Sequence, residues 1–337
     1  MLKEKIAERF LDSAKSIGTD RSRCLRMRYN RNLCSECTSI CRSGAITIDE
    51  DVHILTDNCS ECMLCVSACP SDCFEIEGLD FYSLIGRLGK ILSTVSSPVL
   101  GCAARENNAC HIKTACFGSL SEEHLIALSV FIGNTLQIDL TGCADCRNGF
   151  IVDVLKKRIN SIETKTSIMI SNRIKFVDKK ADLKFREMAY DRRGFFKAIK
   201  DMTYKHTAGL FDNDDSGEEL QSYSAKKLPL KRDLLNRIIK VLPEEEYKTL
   251  LKKYFYLVTV TEDCNNCFAC IGMCPTGALK IEGNEDRRDL FFSSSLCNGC
   301  GLCESFCIKK SVRIEKGFSG ENPFSFSNAK RELLCSA

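Results

Sequence analysis

Twenty-three of the 337 residues are cysteine, and their spacing is the feature most able to do chemistry. Cys264, Cys267, Cys270 and Cys274 form C-x2-C-x2-C-x3-C followed by Pro275. Cys297, Cys300, Cys303 and Cys307 repeat that spacing, with Ile308 in place of the proline. Two intervening residues let a tight loop aim successive sulfurs, and its own N–H groups, at one body. Pro275 then ends the loop and turns the chain toward a neighbouring site. This is the run that binds iron–sulfur cubanes, three thiolates holding one cluster while the fourth reaches the other. It assigns Cys264, Cys267, Cys270 and Cys307 to one 4Fe–4S cluster, and Cys297, Cys300, Cys303 and Cys274 to a second. Zinc is the competing reading, because two C-x2-C pairs suit a tetrahedral ion. Each run here puts three or four thiols in one loop, so zinc would leave sulfurs unused.

An earlier stretch repeats the arrangement. Cys59, Cys62, Cys65, Cys69 and Pro70 reproduce the run without departure. These segments resemble the bacterial-type two-cluster 4Fe–4S ferredoxin family. The resemblance implies a compact, pseudo-symmetric βαβ pair that carries single electrons. One run departs from the family's pattern: Cys34-x2-Cys37-x3-Cys41 has Arg31 where its first cysteine is usual, and Cys24, the nearest candidate, is separated from Cys34 by nine residues. Some iron–sulfur subunits of larger oxidoreductases carry a similar long first interval. By that resemblance Cys24, Cys34, Cys37 and Cys69 hold one cluster, and Cys59, Cys62, Cys65 and Cys41 the other. Cys73 could replace a ligand or serve as a small core side chain. Cys335 stands alone near the end of the chain, with no role assigned.

A third group of cysteines lies between the two repeats. Residues 97–178 read as alternating elements: SPVLGC a short strand ending at Cys102, SEEHLIALSVFIGN a helix capped at Ser119 or Ser121, TLQIDLTGC a strand ending at Cys143. The segment 145–162 reads as a second helix, and TSIMIS and IKFVD as strand candidates. The order βαβαβ favours a small parallel sheet, which binds ligands outside the carboxyl ends of its strands. Cys102 and the Cys143–Cys146 pair occupy that edge, and Cys116 stands just before the first helix, whose N-terminus would favour a thiolate. A fifth cluster, 2Fe–2S or 4Fe–4S, is expected on Cys102, Cys116, Cys143 and Cys146, with Cys110 the alternative to Cys116. The layout is similar to thioredoxin-like 2Fe–2S domains and to small iron–sulfur subunits of hydrogenase–heterodisulfide reductase systems. The competing reading is two buried thiols plus a redox or zinc pair. His111 reads as a surface residue.

These sites need a scaffold, and the rest of the chain supplies its outline. Expected are an N-terminal 2×4Fe–4S ferredoxin module over 1–78 and an α/β middle domain of thioredoxin- or flavodoxin-like type over 79–180. A helical linker over 181–255 follows, with a disordered-type acidic stretch at 212–227, and then a C-terminal 2×4Fe–4S module and tail over 256–337. The fold class is thus a mixed α+β and α/β multidomain chain. The first 18 residues read as an amphipathic charged helix, and no stretch of about 18 apolar residues suggests a membrane span. Without an export signal the thiols are expected to stay reduced, in the cytoplasm of an anaerobic cell.

Charge excludes little except a general nucleic-acid binder: 48 Lys and Arg face 45 Asp and Glu, a net +3. Twenty ligating thiolates contribute about −20 and five oxidised cubane cores about +10, so a loaded chain sits near about −7. The run RSRCLRMRYNRN, with five arginines and no acid, could raise the potential of the Cys24 cluster, dock a partner, or simply be solvated. No glycine-rich dinucleotide fingerprint or P-loop is present. The expected function is therefore an electron-transfer subunit. By resemblance its catalytic partner would be an aldehyde oxidoreductase, hydrogenase, formate dehydrogenase or heterodisulfide reductase, and a soluble ferredoxin is a candidate exchange partner. The alternative is a disulfide or thiol reductase centred on an incompletely ligated middle cluster, with Cys110 as the free thiol.

Overall fold

The computed structural model describes residues 17–76, 80–105, 109–185, 225–284 and 288–329. Residues 1–16 of the expected N-terminal helix, residues 186–224 of the expected linker with most of its acidic stretch, and Cys335 lie outside the described residues, while Ile17 and Gly18, the last residues of that expected helix, are extended.

The two ends share one strand plan. At the N-terminal end, β1 (Ile17–Thr19) pairs antiparallel with β4 (Phe74–Ile76), and β2 (Ile46–Ile48) forms a hairpin with β3 (Val52–Ile54). Each of the two cysteine runs occupies the connection between a strand of one pair and a strand of the other. At the C-terminal end β9 (Tyr256–Val260) pairs with β12 (Val312–Lys316), and β10 (Leu279–Gly283) pairs with β11 (Arg288–Phe292). A short strand, β13 (Ser327–Asn328), adds to the edge of β11. First strand therefore meets last in both halves, with the hairpin between them, so two connecting loops are drawn toward each other.

Between these halves lies a four-stranded parallel sheet in the order β6-β5-β7-β8. Its strands are β5 (Val99–Cys102), β6 (Ile112–Thr114), β7 (Leu136–Asp139) and β8 (Ile174–Val177). All four residues of β7 are buried, as befits a central parallel strand covered on both faces. The helix Glu122–Ile132 starts where Ser121 and His124 cap one another's backbone N–H groups, and it ends at Gly133, left-handed at φ 67°. The helix Ile151–Lys165 follows β7. The sequence reading missed β6, so the order is ββαβαβ. It also misread TSIMIS: the chain there turns into a short helix, Ile170–Arg173, and only the following Ile174–Val177 is a strand.

The helices Leu230–Ile238 and Glu244–Tyr254, read from the sequence as a linker, bury Leu234, Leu235, Ile238 and Leu250 in the same core as the parallel sheet. Pro243 stands directly before the second helix, and the lack of an N–H there separates the two. The first packs on Glu122–Ile132. Leu64 of the N-terminal half belongs to this core as well. Among the described residues no helix is long and apolar enough to cross a membrane.

Candidate metal centres

The four terminal cysteine runs share a local geometry that their spacing does not reveal. Three residues past the last cysteine of each run, the backbone is left-handed: Gly44, Asp72, Gly277 and Lys310 have φ of 62°, 53°, 74° and 51°. That turn brings the next residue's N–H back onto the sulfur. Ala45, Cys73 and Ala278 each donate to Cys41, Cys69 and Cys274 at 3.3 Å. In the fourth run the Ser311 hydroxyl lies 3.3 Å from Cys307 Sγ. Hydroxyls of Ser43, Ser71 and Thr276 approach the first three sulfurs at 3.5, 3.6 and 3.5 Å.

Three runs carry a second device. The residues flanking the middle cysteine are left-handed in each: Glu61 and Met63 around Cys62, Asn266 and Phe268 around Cys267, Gly299 and Gly301 around Cys300. Four of these six are not glycine, so each holds a conformation that costs about 1 kcal/mol or more. The paired reversals lay the loop down as a cradle. Glu61 and Gly299 then donate their N–H groups to Cys59 and Cys297 at 3.4 Å. The Cys34–Cys41 run has no such pair, in keeping with its departure from the spacing.

The thiols gather as four sets. A cavity in the N-terminal half is lined by Cys24, Cys34, Cys37 and Cys69, with Cys73 at its wall. Burial pushes Cys37 up to about 12, and the charges of Cys69, Cys34 and Cys24 push the same way. Cys73, only 1% exposed, hydrogen-bonds to Cys24 and brings it down to about 6, while its own thiol is raised. Burial also pushes Cys65 up to about 12, helped by Cys62, Cys59 and Cys41. Cys270 is pushed up to about 11 by burial and by Cys264, Cys267 and Cys307. Burial raises Cys303, with Cys297, Cys300 and Cys274 adding to it. Crowded thiols surrounded by N–H donors are what a cubane's thiolates need, since the iron supplies the positive charge that the bare sulfurs lack. Among the described residues no three His, Cys, Asp or Glu side chains come close enough to hold a single metal ion.

In the middle sheet, β6, β5 and β7 are neighbours, and their carboxyl ends bring Cys116, Cys102, Cys143 and Cys146 to one edge. Burial pushes Cys143 up to about 11, with Cys102 and Cys146 adding to it. Cys116 is likewise pushed up to about 12 by burial, with Cys102, Cys62 and Cys143 contributing. The expectation that a helix N-terminus would favour its thiolate fails. Cys116 precedes a single 3-10 turn, Phe117–Ser119, and the helix begins only at Glu122. Cys110 sits against Gly101, where a Cβ would lie 2.6 Å from its sulfur. His111 is no simple surface residue: its Nδ1 accepts the Val99 N–H at 2.9 Å.

The sites adjoin one another. Gly118, two residues past Cys116, faces the Cys62 carbonyl with no space for a Cβ. Asn148 Nδ2 donates to the Ser60 carbonyl at 2.7 Å, and Arg158 reaches Ser67 Oγ at 2.8 Å. Across the two ends, Asn298 Nδ2 donates to the Pro70 carbonyl at 2.8 Å, so the residues after Cys297 and Cys69 touch. Tyr29 packs edge-on against Phe306 at 5.2 Å.

Comparison with known proteins places this geometry. Residues 263–311 match the family described as a 4Fe-4S dicluster domain. The chain is 38% identical over 55 residues to the polyferredoxin protein MvhB of Methanothermobacter marburgensis, covering 14% of this chain and 13% of that protein. It is 32% identical over 69 residues to the pyruvate synthase subunit PorD of Thermotoga maritima, covering 20% of this chain and 67% of that subunit. The chain thus spans only a small part of the polyferredoxin's length. No solved structure matches. The chain belongs to the two-cluster 4Fe–4S ferredoxin proteins.

Proposed function

We propose that this chain relays single electrons between a catalytic oxidoreductase subunit and another carrier, through four 4Fe–4S clusters and a fifth iron–sulfur site in the middle sheet. Cys24, Cys34, Cys37 and Cys69 hold one cubane, and Cys59, Cys62, Cys65 and Cys41 the next. Cys297, Cys300, Cys303 and Cys274 hold a third, and Cys264, Cys267, Cys270 and Cys307 a fourth. Cys102, Cys116, Cys143 and Cys146 hold the fifth. The observation that carries this reading is the turn repeated after all four runs, which aims a backbone or hydroxyl donor at the run's last sulfur. That sulfur is the one the ferredoxin plan sends to the neighbouring cube.

Cubanes saturated by four thiolates have no open coordination position, so they pass electrons and leave bond chemistry to others. Continuity supports a relay. The middle site abuts the Cys62 loop, and the Cys69 loop abuts the Cys297 loop. Electrons would travel from the middle site through the N-terminal pair to the C-terminal pair, or in reverse. The reading as a thiol reductase finds less support, because burial raises the Cys110 thiol and thins the thiolate that exchange requires.

Anaerobic purification with iron and acid-labile sulfide analysis tests the proposal. About 16 iron per chain is expected from four cubanes, and about 18 to 20 with the fifth site. EPR of the reduced protein should show several interacting S = 1/2 centres. Zinc in place of iron, or sulfide far below iron, overturns it.

A further inference from the structure

Arg232 lies on the buried side of the helix Leu230–Ile238, only 4% exposed. Its Nη2 donates to the Tyr254 carbonyl at 2.8 Å, while Nε and Nη1 are buried with no hydrogen-bond partner. Among the described residues no carboxylate stands within ion-pair distance of it. A guanidinium is always charged, and burying it with two donors unused is costly unless a counter-charge faces it.

The surroundings indicate where that counter-charge is. The guanidinium lies over the Phe255 ring at 4.4 Å and beside the Tyr256 ring at 5.7 Å. The Tyr256 ring in turn lies directly on Gly299, left no space for a Cβ, and Gly299 donates its N–H to Cys297 Sγ. One aromatic ring thus separates Arg232 from the loop of Cys297 and Cys300. Burial weakens the charged guanidinium, and of the neighbouring anions Cys297 counters this first, ahead of Tyr256 and Glu123. A second cation, Lys226, caps the same set from the other side, its Nζ donating to the Cys274 carbonyl at 2.6 Å.

Resting on the relay reading above, we infer that Arg232 is a positioning charge for the cluster on Cys274, Cys297, Cys300 and Cys303, and raises its reduction potential. Adding an electron makes a four-thiolate cubane one unit more negative, and a fixed buried cation favours that reduced state. Lys231 is the buried cation of the N-terminal runs, its Nζ donating to the Ser67 and Cys69 carbonyls, whereas the charges next to the Cys270 set are other thiols. The site lies where the two ends of the chain touch, at Asn298 and Pro70.

The test is a potentiometric EPR titration of the anaerobic holoprotein, with iron and sulfide measured on the same samples. In Arg232→Gln one wave should move to lower potential, with at least a tenfold change in its oxidised-to-reduced ratio at fixed potential, or 59 mV for a one-electron couple. Arg232→Lys should move it less. The wave that moves should be the one lost in Cys300→Ala. Should Arg232→Gln lose iron, Arg232→Met, which keeps the aliphatic stem against Phe255, carries the same expectation. With iron and sulfide at wild-type levels, waves that superimpose on wild type, or movement of a wave other than the one lost in Cys300→Ala, overturn the assignment and leave the relay standing. Wild-type protein without clusters overturns both.

Discussion

The contact between the middle sheet and the N-terminal module can be broken with one methyl group. Gly118 lies in the 3-10 turn Phe117–Ser119, and a Cβ there would overlap the Cys62 carbonyl oxygen and meet Ile151 Cδ1 at 3.0 Å. The obstacle is backbone, which cannot swing aside like a side chain. Gly118→Ala must therefore push the Cys116 turn off the Cys62 loop. Overpacking of this kind costs about 1–3 kcal/mol. Separation also strains the Asn148–Ser60 and Arg158–Ser67 hydrogen bonds, worth about 1 kcal/mol each. A loss of about 3–5 kcal/mol is expected, or roughly 6–20 °C in Tm at about 2–4 °C per kcal/mol for a unit of this size. Thermal unfolding of anaerobic holoprotein followed by circular dichroism measures it. Gly86→Ala is the control: it sits mid-helix with nothing within 4 Å of a new Cβ, and should gain about 0.5–1 kcal/mol. A Gly118→Ala protein melting within 2 °C of wild type, by the roughly 2–4 °C per kcal/mol above, would refute the packing described for this junction.

Cys24→Ala should lower the iron content by about four per chain. Cys73→Ala should leave the iron count unchanged, because Cys73 bonds to a ligand sulfur without being needed as one; iron and sulfide analysis separates the two outcomes. His124 is buried in the capping turn and held neutral, its pKa brought down to about 3 from 6.5 by burial and by Lys231 and Arg158. Between those two values the unfolded chain takes up a proton that the folded chain refuses. Stability present above pH 6.5 is therefore lost as pH falls, by about 2 kcal/mol between pH 7.5 and 5. Denaturant unfolding at several pH values should show His124→Gln losing that part of the slope, and parallel curves for the two proteins would contradict it.

How much of this was legible in the sequence depends on the length scale of each cause. Cysteine spacing is set by ligation itself, so it survives in the sequence as a pattern of two- and three-residue intervals. The helix Glu122–Ile132 and the strands Val99–Cys102 and Leu136–Asp139 were legible because their apolar residues repeat regularly between capping and turn residues. The three-residue Ile112–Thr114 is too short for any periodicity to register. TSIMIS alternates like a strand, yet hydrogen bonds of the following short helix override that pattern over its last residues. Glu61, Met63 and Phe268 gave no warning of their left-handed backbones, since glycine or asparagine is the usual sign of that conformation and of the four non-glycine positions only Asn266 carries it. Arg232, within KRDLLNRIIK, carries no local sign of burial; only the arrival of Phe255, Tyr256 and the Cys297 loop makes it interior.

The cores themselves argue for the clusters as structural members. The middle sheet and its helices share a broad aliphatic core of leucine, isoleucine and phenylalanine. The N-terminal half has a separate, much smaller one, in which five of the eight buried residues are Cys24, Cys37, Cys65, Cys69 and Cys73. Leu25 and Met63 are buried as well and Leu64 joins the larger core, yet with Ile46, Val52 and Phe74 they remain a small apolar set against the chain entropy of about sixty ordered residues at about 1–2 kcal/mol apiece. The left-handed Glu61, Met63 and Asp72 add a further cost, and the crowded thiols repel one another as soon as they ionise. Iron–sulfur binding reverses each of these terms at once. It converts repelling thiolates into ligands, fills the space they surround, and holds the strained loop in place. The same groups that would carry electrons would then hold the module together, whereas the middle sheet has a broad aliphatic core of its own. In such a chain the cluster cages would be tuned by residues that touch or face the ligands without being ligands, such as Cys73 beside Cys24 and Arg232 behind the Cys297 loop.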